Sequence, residues 1–417
     1  MSARACFSLQ AGLVCTSGSS SVLRRPEPPG GSANVVRDRF VFWLVDLTPH
    51  QAPFIREISA RLPPGRVIGV FQRPQSAARF AKGWSALDYG QTEVIVAPEE
   101  AQAEALLAAD AERSVHIFSS MMHSPAISRA LRRALATPET QVGLLSEARD
   151  WRGAKGFARQ AHSLLHERRY RRRADFVLAI GGTGVEWFRR CGYPAAKIFP
   201  FCYVVESPPT APPDPRIAAD GALTGAPCQD VQIVFVGRLI QLKRVDLLLS
   251  ALARVERSNW GLSIVGDGSE SRRLKDQAVS RGLDTRVDFL GLQGNATIRS
   301  CLAEADLLVL PSRWDGWGAV VNEALMAGVP VICSDWCGAS ALIRAGWNGD
   351  VFRCGSVDDL AATLQRWIDR GRLPDDQREA IRTWSGCIAG PAVAGYVLDI
   401  VKFVSGSAAE RPPPPWG

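Results

Sequence analysis

The sequence predicts an α/β protein of two domains, each built around a parallel β-sheet. Short apolar runs alternate with helical patterns along most of the chain, which is typical of parallel strands joined by crossover helices. The chain has 417 residues, more than a single hydrophobic core usually organises. A proline- and alanine-rich stretch without periodicity, residues 206–230, divides the alternation into two series. These observations predict two Rossmann-like domains that face a central cleft.

The first domain is predicted to span residues 36–205. Its strands are expected at Arg39–Asp46, Val67–Phe71, Thr92–Val96, Val115–Ser119, Val142–Leu145, Phe176–Ile180 and Ile198–Phe201. Helical patterns lie between them, at Phe54–Arg61, Ala101–Ala111 and Ala126–Ala136. Residues 1–35 are rich in Ser, Arg, Gly and Pro, so they are predicted to form a disordered N-terminal tail.

The second domain is predicted to span residues 231–385, after the linker at 206–230. Residues 386–405 carry a helical pattern and are predicted to form a final helix. Residues 406–417 are rich in Ser and Pro, and a disordered tail is expected there.

The composition is that of an ordinary globular protein, with 46% hydrophobic residues and a net charge of +7. This basic balance suits an anionic substrate or an anionic membrane surface. A nucleic-acid partner is disfavoured, because no zinc spacing, helix-turn-helix or aromatic-interleaved basic sheet is recognisable. The ten cysteines form no C-x-x-C pair and are expected to be reduced, which favours the cytoplasm. No run of about 18 apolar residues predicts a transmembrane helix.

No metal site is predicted. His162 and His166 are the only histidines near metal-ligand spacing, and no third ligand lies beside them in the sequence.

The most informative stretch, Ala305–Asp335, predicts a strand, a Gly-rich loop, a helix and a second strand. The start of the helix near Gly318 and Ala319 offers unpaired N–H groups and a positive dipole, where a phosphate binds readily. Asp315 and Glu323 frame this site with seven residues between them. Two acids on either side of a phosphate site suit a nucleotide sugar, with one acid at the sugar and the other at the ribose.

This stretch resembles the Glu–seven residues–Glu motif of retaining GT-B glycosyltransferases, especially family 4, with Asp315 in place of the first glutamate. Three further matches follow the family's order and spacing: Ile233–Leu239 with Lys243–Leu249, Leu262–Gly268 with Val287–Gly291, and Gly346–Phe352. The resemblance implies a GT-B fold in which the second domain binds the donor and the first binds the acceptor. It also implies that the last helix crosses back to the first domain.

The resemblance further implies roles for individual residues. Arg238 and Lys243 would bind the diphosphate, Asp315 a sugar hydroxyl and Glu323 the ribose. Fixed cations beside a leaving diphosphate stabilise the transition state more than the ground state. Additional donor contacts are expected at Gly237, Gly266, Asp267, Gly291, Leu292, Gly316, Trp317, Gly318 and Ala319.

Some of these roles have plain structural alternatives. Arg244 competes with Lys243 for the diphosphate role. Asp315 beside Gly316 would also suit a simple turn. Glu323 could instead be a solvent-facing helix residue.

Acceptor contacts are expected on loops that follow strands of the first domain. Glu147 follows the strand Val142–Leu145, where relatives often place an acceptor or sugar contact, and it equally suits a helix cap. His50 and His123 lie in two other strand-end loops and are further candidates.

A basic amphipathic helix is predicted over residues 150–173. One stripe carries Arg149, Arg152, Lys155, Arg159, His162, His166, Arg169 and Arg173, and its neighbour carries Ala154, Phe157, Ala158, Ala161, Leu164 and Leu165. Such a helix suits an anionic membrane surface. The alternative is a helix that packs its apolar stripe on the core and leaves its basic face solvated.

The expected function is transfer of a hexose from a nucleotide diphosphate sugar, a co-substrate rather than a cofactor, to an acceptor hydroxyl. As the family implies, we expect retention of configuration and no metal requirement. A lipid-linked or saccharide acceptor in polysaccharide or glycolipid synthesis is expected, with a cytoplasmic enzyme that is at most peripheral on the membrane.

Three other functions compete with this expectation. A GT-B nucleotide-sugar epimerase and an inactive sugar-nucleotide-binding partner remain open. A dehydrogenase is disfavoured, because no GxGxxG follows the first strand.

Overall fold

The computed structural model describes residues 36–74, 87–119, 124–206 and 231–417. Their strands form two parallel sheets, one in each of two lobes. The first lobe contains β1 (Arg39–Asp46), β2 (Val67–Arg73), β3 (Glu93–Val96), β4 (Ser114–Ser119), β5 (Gln141–Glu147), β6 (Phe176–Ile180) and β7 (Ile198–Phe201). Its helices are α1 (Ala52–Ala60), α2 (Glu100–Ala108), α3 (Pro125–Ala134), α4 (Gly153–His166), α5 (Arg168–Arg173) and α6 (Gly181–Arg190).

The second lobe repeats this alternation. Its strands are β8 (Val231–Val236), β9 (Trp260–Val265), β10 (Val287–Gly291), β11 (Leu307–Leu310), β12 (Val331–Ser334) and β13 (Gly349–Phe352). Its helices are α7 (Val245–Leu252), α8 (Ser271–Ser280), α9 (Asn295–Glu304), α10 (Val320–Met326), α11 (Val357–Arg370) and α12 (Asp375–Ser385), and α13 (Gly390–Ser405) follows them.

The strand order places a switch point in each sheet. The first sheet runs β3-β2-β1-β4-β5-β6-β7 and the second runs β10-β9-β8-β11-β12-β13. The order reverses between β1 and β4 in one sheet and between β8 and β11 in the other. Ligands of open parallel sheets bind beyond the carboxyl ends of strands at such points, so the loops after these strands form the candidate site. Two parallel-sheet α/β lobes are the architecture that the sequence predicts.

Burial on both faces explains why the strands are readable as apolar runs. In β1, Phe40, Phe42 and Leu44 belong to one hydrophobic cluster, whereas Val41 and Trp43 belong to a second cluster on the opposite face. The first of these clusters also includes side chains of the second lobe and of α13.

The helix α13 packs against α1 of the first lobe. Arg61 donates a hydrogen bond from Nη2 to the Pro391 carbonyl at 2.7 Å. By length and composition alone, the helical stretch Asp375–Ser405 is apolar enough to span a membrane, which the sequence analysis did not anticipate. Val397 and Ile400 of α13 are fully buried in the core, however, as expected of a helix packed inside a globular fold.

Two sequence expectations need correction. Residues 406–417 are not a disordered tail: Arg411 binds the carbonyls of Ala196 and Ile198, and Trp416 is buried against Tyr396. The basic helix is two helices, α4 and α5, because the chain breaks at Glu167, whose side chain is buried. The predicted tail at 1–35 and the linker residues 207–230 lie outside the described residues.

Candidate functional site

The loops after β8 and β9 lie against each other at the switch point of the second lobe. A Cβ added to Gly266 would overlap the carbonyl of Gly237, so only glycine allows this approach. The Gly266 amide donates to the Gly291 carbonyl at 2.7 Å, which ties the end of β10 to the same place. These three predicted donor residues are therefore brought together.

Lys243 and Asp315 form an ion pair at the mouth of this switch point. Both side chains are mostly buried, and Ser312 also donates to the Asp315 carboxylate at 3.4 Å. Arg244, the competing cation, turns away: its backbone has φ +54° and its side chain binds Asp246 at 3.0 Å. Of the two neighbours, only Lys243 faces the site.

The loop from Asp315 to Ala319 leads into α10. The Asp315 amide donates to the Trp336 carbonyl, and the Asp315 carbonyl accepts from Gly338, so the loop is held by the segment after β12. Gly318 has φ +93°, a conformation that favours glycine. The Val321 amide donates to the Gly318 carbonyl at 2.9 Å and the Glu323 amide to the Ala319 carbonyl at 3.3 Å, so the first turn of α10 is built directly on this loop.

The Trp317 side chain does not face the site, although a donor contact is expected there from the sequence. Its ring is buried, and its indole Nε1 donates to the Asn322 side chain at 2.7 Å, inside the lobe. The backbone of the loop remains near the site, but the Trp317 side chain supports the loop from behind. A large aromatic residue beside a Gly-rich loop is as easily a buried support as a ligand.

Glu323 lies in the first turn of α10, half-buried. Burial raises the pKa of its carboxyl to about 7, and Arg299 opposes that rise. A hydroxyl that donates a hydrogen bond to this carboxylate would replace some of the hydration that burial removes. Glu323 is thus a half-buried carboxyl rather than the solvent-facing residue of the alternative.

The remaining predicted donor residues lie at the open side of the second lobe. The side chains of Arg238 and Asp267 are exposed, and Leu292 is 64% exposed. Hydrogen bonds from Ser271 and from the Gly268 amide lower the pKa of the Asp267 carboxyl. In the described parts of the chain, Arg238 forms no ion pair and is available to an anion.

Glu147 reaches from the end of β5 across the cleft to the loop at Gly316. A Cβ added to Gly316 would overlap the Glu147 carboxylate, so the two lobes touch here. Burial raises the pKa of Glu147, a hydrogen bond from Tyr203 lowers it, and the nearby Asp315 raises it. The Glu147 carboxyl is therefore a group of the first lobe that lies in the cleft against the second.

Tyr203, which sequence reasoning missed, connects both lobes. Its hydroxyl bonds Glu147, its ring stacks on His50 with centroids 5.6 Å apart, and its carbonyl accepts from Asn322 Nδ2 at 3.0 Å. His50, a predicted acceptor residue, is thereby placed behind Tyr203. The third candidate, His123, lies outside the described residues.

A cluster of tryptophans and arginines closes the cleft on one side. Trp151 and Arg152 follow β5, and the ring of Trp336 lies 4.9 Å from the Trp151 ring and 3.9 Å from the Arg152 guanidinium. Trp314 completes the cluster, 5.6 Å from Trp336. Arg152 also donates to the Arg313 carbonyl at 2.8 Å. Tryptophans in the loops after strands β5, β11 and β12 were a signal that could have revealed this contact.

The site thus combines cations, partly buried carboxylates and the start of α10 at the facing strand ends. Lys243 and Arg238 suit a diphosphate, whereas Glu323, Asp315 and Glu147 suit hydroxyl groups. In the described residues, no cluster of three or more His, Cys, Asp or Glu side chains is arranged to hold a metal ion.

Comparison with known proteins agrees with this geometry. Residues 224–384 match the family of glycosyl transferases, group 1. The lipopolysaccharide 1,6-galactosyltransferase of Salmonella typhimurium is 32% identical over 202 residues, which cover 47% of this chain and 53% of that protein. The D-inositol 3-phosphate glycosyltransferase of Nocardia farcinica is 34% identical over 171 residues, 39% of this chain and 38% of that protein. The chain matches about a third to a half of the length of such relatives.

Solved structures show the fold over most of the chain. The lipopolysaccharide outer core galactosyltransferase WaaB superimposes with a TM-score of 0.63 at 18% identity, covering 87% of this chain and 99% of that one. A glycosyltransferase from Rickettsia africae gives 0.64 at 13% identity, covering 89% and 100%. Anabaena HepE in complex with UDP and glucose gives 0.56 at 18% identity, covering 88% and 98%. The predicted GT-B fold is confirmed.

Proposed function

We propose that this chain transfers a hexose from a nucleotide diphosphate sugar to an acceptor hydroxyl, with retention of configuration and without a metal ion. The observation that carries the proposal is the Lys243–Asp315 pair at the loop that leads into α10, with Glu323 in the first turn of that helix. This spacing fits a diphosphate at the amides and a hydroxylated group on either side.

The charges on the second lobe match the needs of the leaving group. Departure of a nucleoside diphosphate builds negative charge on its terminal phosphate. In this proposal Lys243 and Arg238 would stabilise that charge, and the two cations would take the place of a metal ion. Donor binding would break or lengthen the Lys243–Asp315 pair, because the lysine would then share its protons with phosphate oxygens. Asp315 would be released to accept a sugar hydroxyl.

Glu147 is the proposed contact of the first lobe with the acceptor or the transferred sugar. It faces Gly316 across the cleft and is oriented by Tyr203. No carboxylate is proposed as a covalent nucleophile. In the front-face mechanism, the leaving phosphate accepts the proton of the attacking hydroxyl, and the residues around it orient the two substrates.

The acceptor is proposed to be a lipid-linked or saccharide hydroxyl in polysaccharide or glycolipid assembly. Support comes from a relative named lipopolysaccharide 1,6-galactosyltransferase and another named D-inositol 3-phosphate glycosyltransferase. Those names describe the relatives, and the loops that would recognise an acceptor differ between proteins that share a fold.

The test is a panel of nucleotide sugars with EDTA present, read first by thermal shift and then by product analysis. We expect one donor to raise the melting temperature by mass action. Lys243→Ala should remove the shift, whereas Lys402→Ala, which removes a surface lysine paired with Asp399, should preserve it. The anomeric configuration of the product, read by NMR, tests retention.

Three outcomes would contradict the proposal. A donor converted to its isomer with sugar and nucleotide still joined would indicate an epimerase. Donor binding without transfer or hydrolysis would indicate an inactive binding protein. Turnover that EDTA abolishes and added metal restores would refute metal independence.

A further inference from the structure

The helix α4 faces the protein with its smallest and most polar side. Its buried residues are Gly156 and Ser163, and a Cβ added to Gly156 would overlap the backbone of Trp151. Glu167, the residue that ends α4, is also buried, and Tyr193 donates to it at 3.1 Å. The side of α4 that contacts the rest of the protein therefore buries no large apolar side chain of this helix.

The apolar stripe of α4 points away from the protein. Phe157 is 73% exposed, Leu165 is 74% exposed and Leu164 is 41% exposed. At 100° per residue these side chains share one face with the exposed Ala154 and Ala158. A helix that packed its apolar stripe on the core would bury these residues, so the core-packing alternative from the sequence is wrong.

Basic side chains surround this stripe. Lys155, Arg159, His162 and His166 are exposed along the adjacent face of α4, and Arg168, Arg169, Arg172 and Arg173 are exposed on α5. The one acidic residue between 153 and 173, Glu167, is buried and close to Arg149. An unopposed cationic border therefore flanks an exposed apolar strip.

We propose that α4 and α5 form a docking surface for a bilayer that contains anionic lipids. α4 would lie in the plane of the interface with Phe157 and Leu165 among the acyl chains, and the arginines of α5 would contact lipid phosphates. The basic border of this surface favours an anionic partner. The apolar strip favours a membrane over a nucleic acid, because a phosphate backbone would leave the apolar side chains in contact with water. The proposal concerns binding and holds whether or not transfer occurs.

The docking surface lies close to the cleft between the lobes. α4 begins directly after Trp151 and Arg152, which touch Trp336 of the second lobe. A bilayer seated on α4 would therefore lie beside one entrance of the cleft. In the terms of the proposed function, a lipid-linked acceptor would have a short path to Glu147.

The experiment is flotation of the purified chain with vesicles of phosphatidylcholine alone or mixed with phosphatidylglycerol. We expect binding to the anionic vesicles that weakens as salt is added. Changing Arg168, Arg172 and Arg173 to Glu should reduce the partition coefficient by at least roughly a hundredfold, since the loss of each cation costs about fivefold and each new carboxylate is repelled by the anionic surface. Phe157→Ser with Leu165→Ser should reduce it at least about tenfold.

A matched control is Val279→Ser, which changes an apolar residue of α8 that is 64% exposed, and it should bind vesicles as the parent does. Unchanged melting temperatures would show that the variants are folded. Equal binding to both vesicle types, no binding, or full binding by the Phe157/Leu165 variant would each overturn the proposal. So would a dimer in sedimentation velocity that the same variant dissociates, because a second copy would then cover the strip.

Discussion

Replacing Glu323 by glutamine is expected to stabilise the unliganded protein at neutral and alkaline pH. Burial raises the pKa of this carboxyl from 4.5 to about 7 in the folded state. Between these values the folded state binds more protons than the unfolded state, so the contribution of Glu323 to the unfolding free energy falls as pH rises. Below a pH of 4.5 the Glu323 carboxyl is protonated in both states and burial of its charge costs nothing. Above a pH of about 7 it is ionised in both states, and the full destabilisation is present. Glutamine has no such titration.

The size of this effect follows from the linkage relation. A shift from 4.5 to about 7 corresponds to about 3 kcal/mol once both states are ionised, and to about 1 kcal/mol near pH 5. Urea unfolding of the parent and of Glu323→Gln near these two pH extremes measures the difference. The difference in unfolding free energy between Glu323→Gln and the parent should increase by about 2 kcal/mol from about pH 5 to about pH 8.

A control and a functional readout accompany this test. The control is Glu256→Gln, at an exposed position of the same lobe. Its difference in unfolding free energy from the parent should be the same at both pH values. A difference for Glu323→Gln that stays constant with pH would refute the reasoning. The same variant should lose donor-induced thermal stabilisation, because the amide is a weaker acceptor for a ribose hydroxyl than a carboxylate.

Three further substitutions test contacts within and between the lobes. Gly316→Ala should weaken donor binding, because the new methyl group overlaps the Glu147 carboxylate. Adding Glu147→Ala should restore the donor-induced thermal shift. A double variant without that shift would contradict the contact between the two residues. Arg152→Ala should increase the radius of gyration in X-ray scattering by loosening the closed cleft, while Arg190→Ala, whose ring contact lies within the first lobe, should not. Trp416→Ala should lower the unfolding free energy in urea by about 3 kcal/mol, and an unchanged value would show that the ring is not packed.

Strands were predictable because burial on both faces leaves continuous apolar runs. Arg39–Asp46, Phe176–Ile180 and Ile198–Phe201 coincide with β1, β6 and β7, and the ends of the other first-lobe strands differ from the prediction by at most two residues. The fold class follows from this alternation. Ion-pair partners do not follow from sequence spacing, because the left-handed backbone at Arg244 decides which of two adjacent cations faces the site.

Contacts between distant segments explain the remaining differences. The break after α4 depends on Glu167 being buried with Tyr193, and nothing local in the sequence marks it. Composition predicts disorder for residues 406–417, yet Trp416 packs against Tyr396 and Arg411 covers the Phe199 ring at 4.1 Å. The assigned roles of the donor and acceptor residues remain predictions.

The packing of α13 and residues 411–416 joins segments that are translated after β13 to the first lobe. The first lobe needs α13 against α1 and Arg411 against the carbonyls around Ala196, all of which are made after the second lobe's strands. Domains usually fold in order from the N-terminus as they emerge from the ribosome. Here the second lobe, contiguous from β8 to β13, can complete its sheet while the first still exposes the apolar side of α1. Chaperone contacts in a nascent chain should therefore persist longest on the lobe that is translated first.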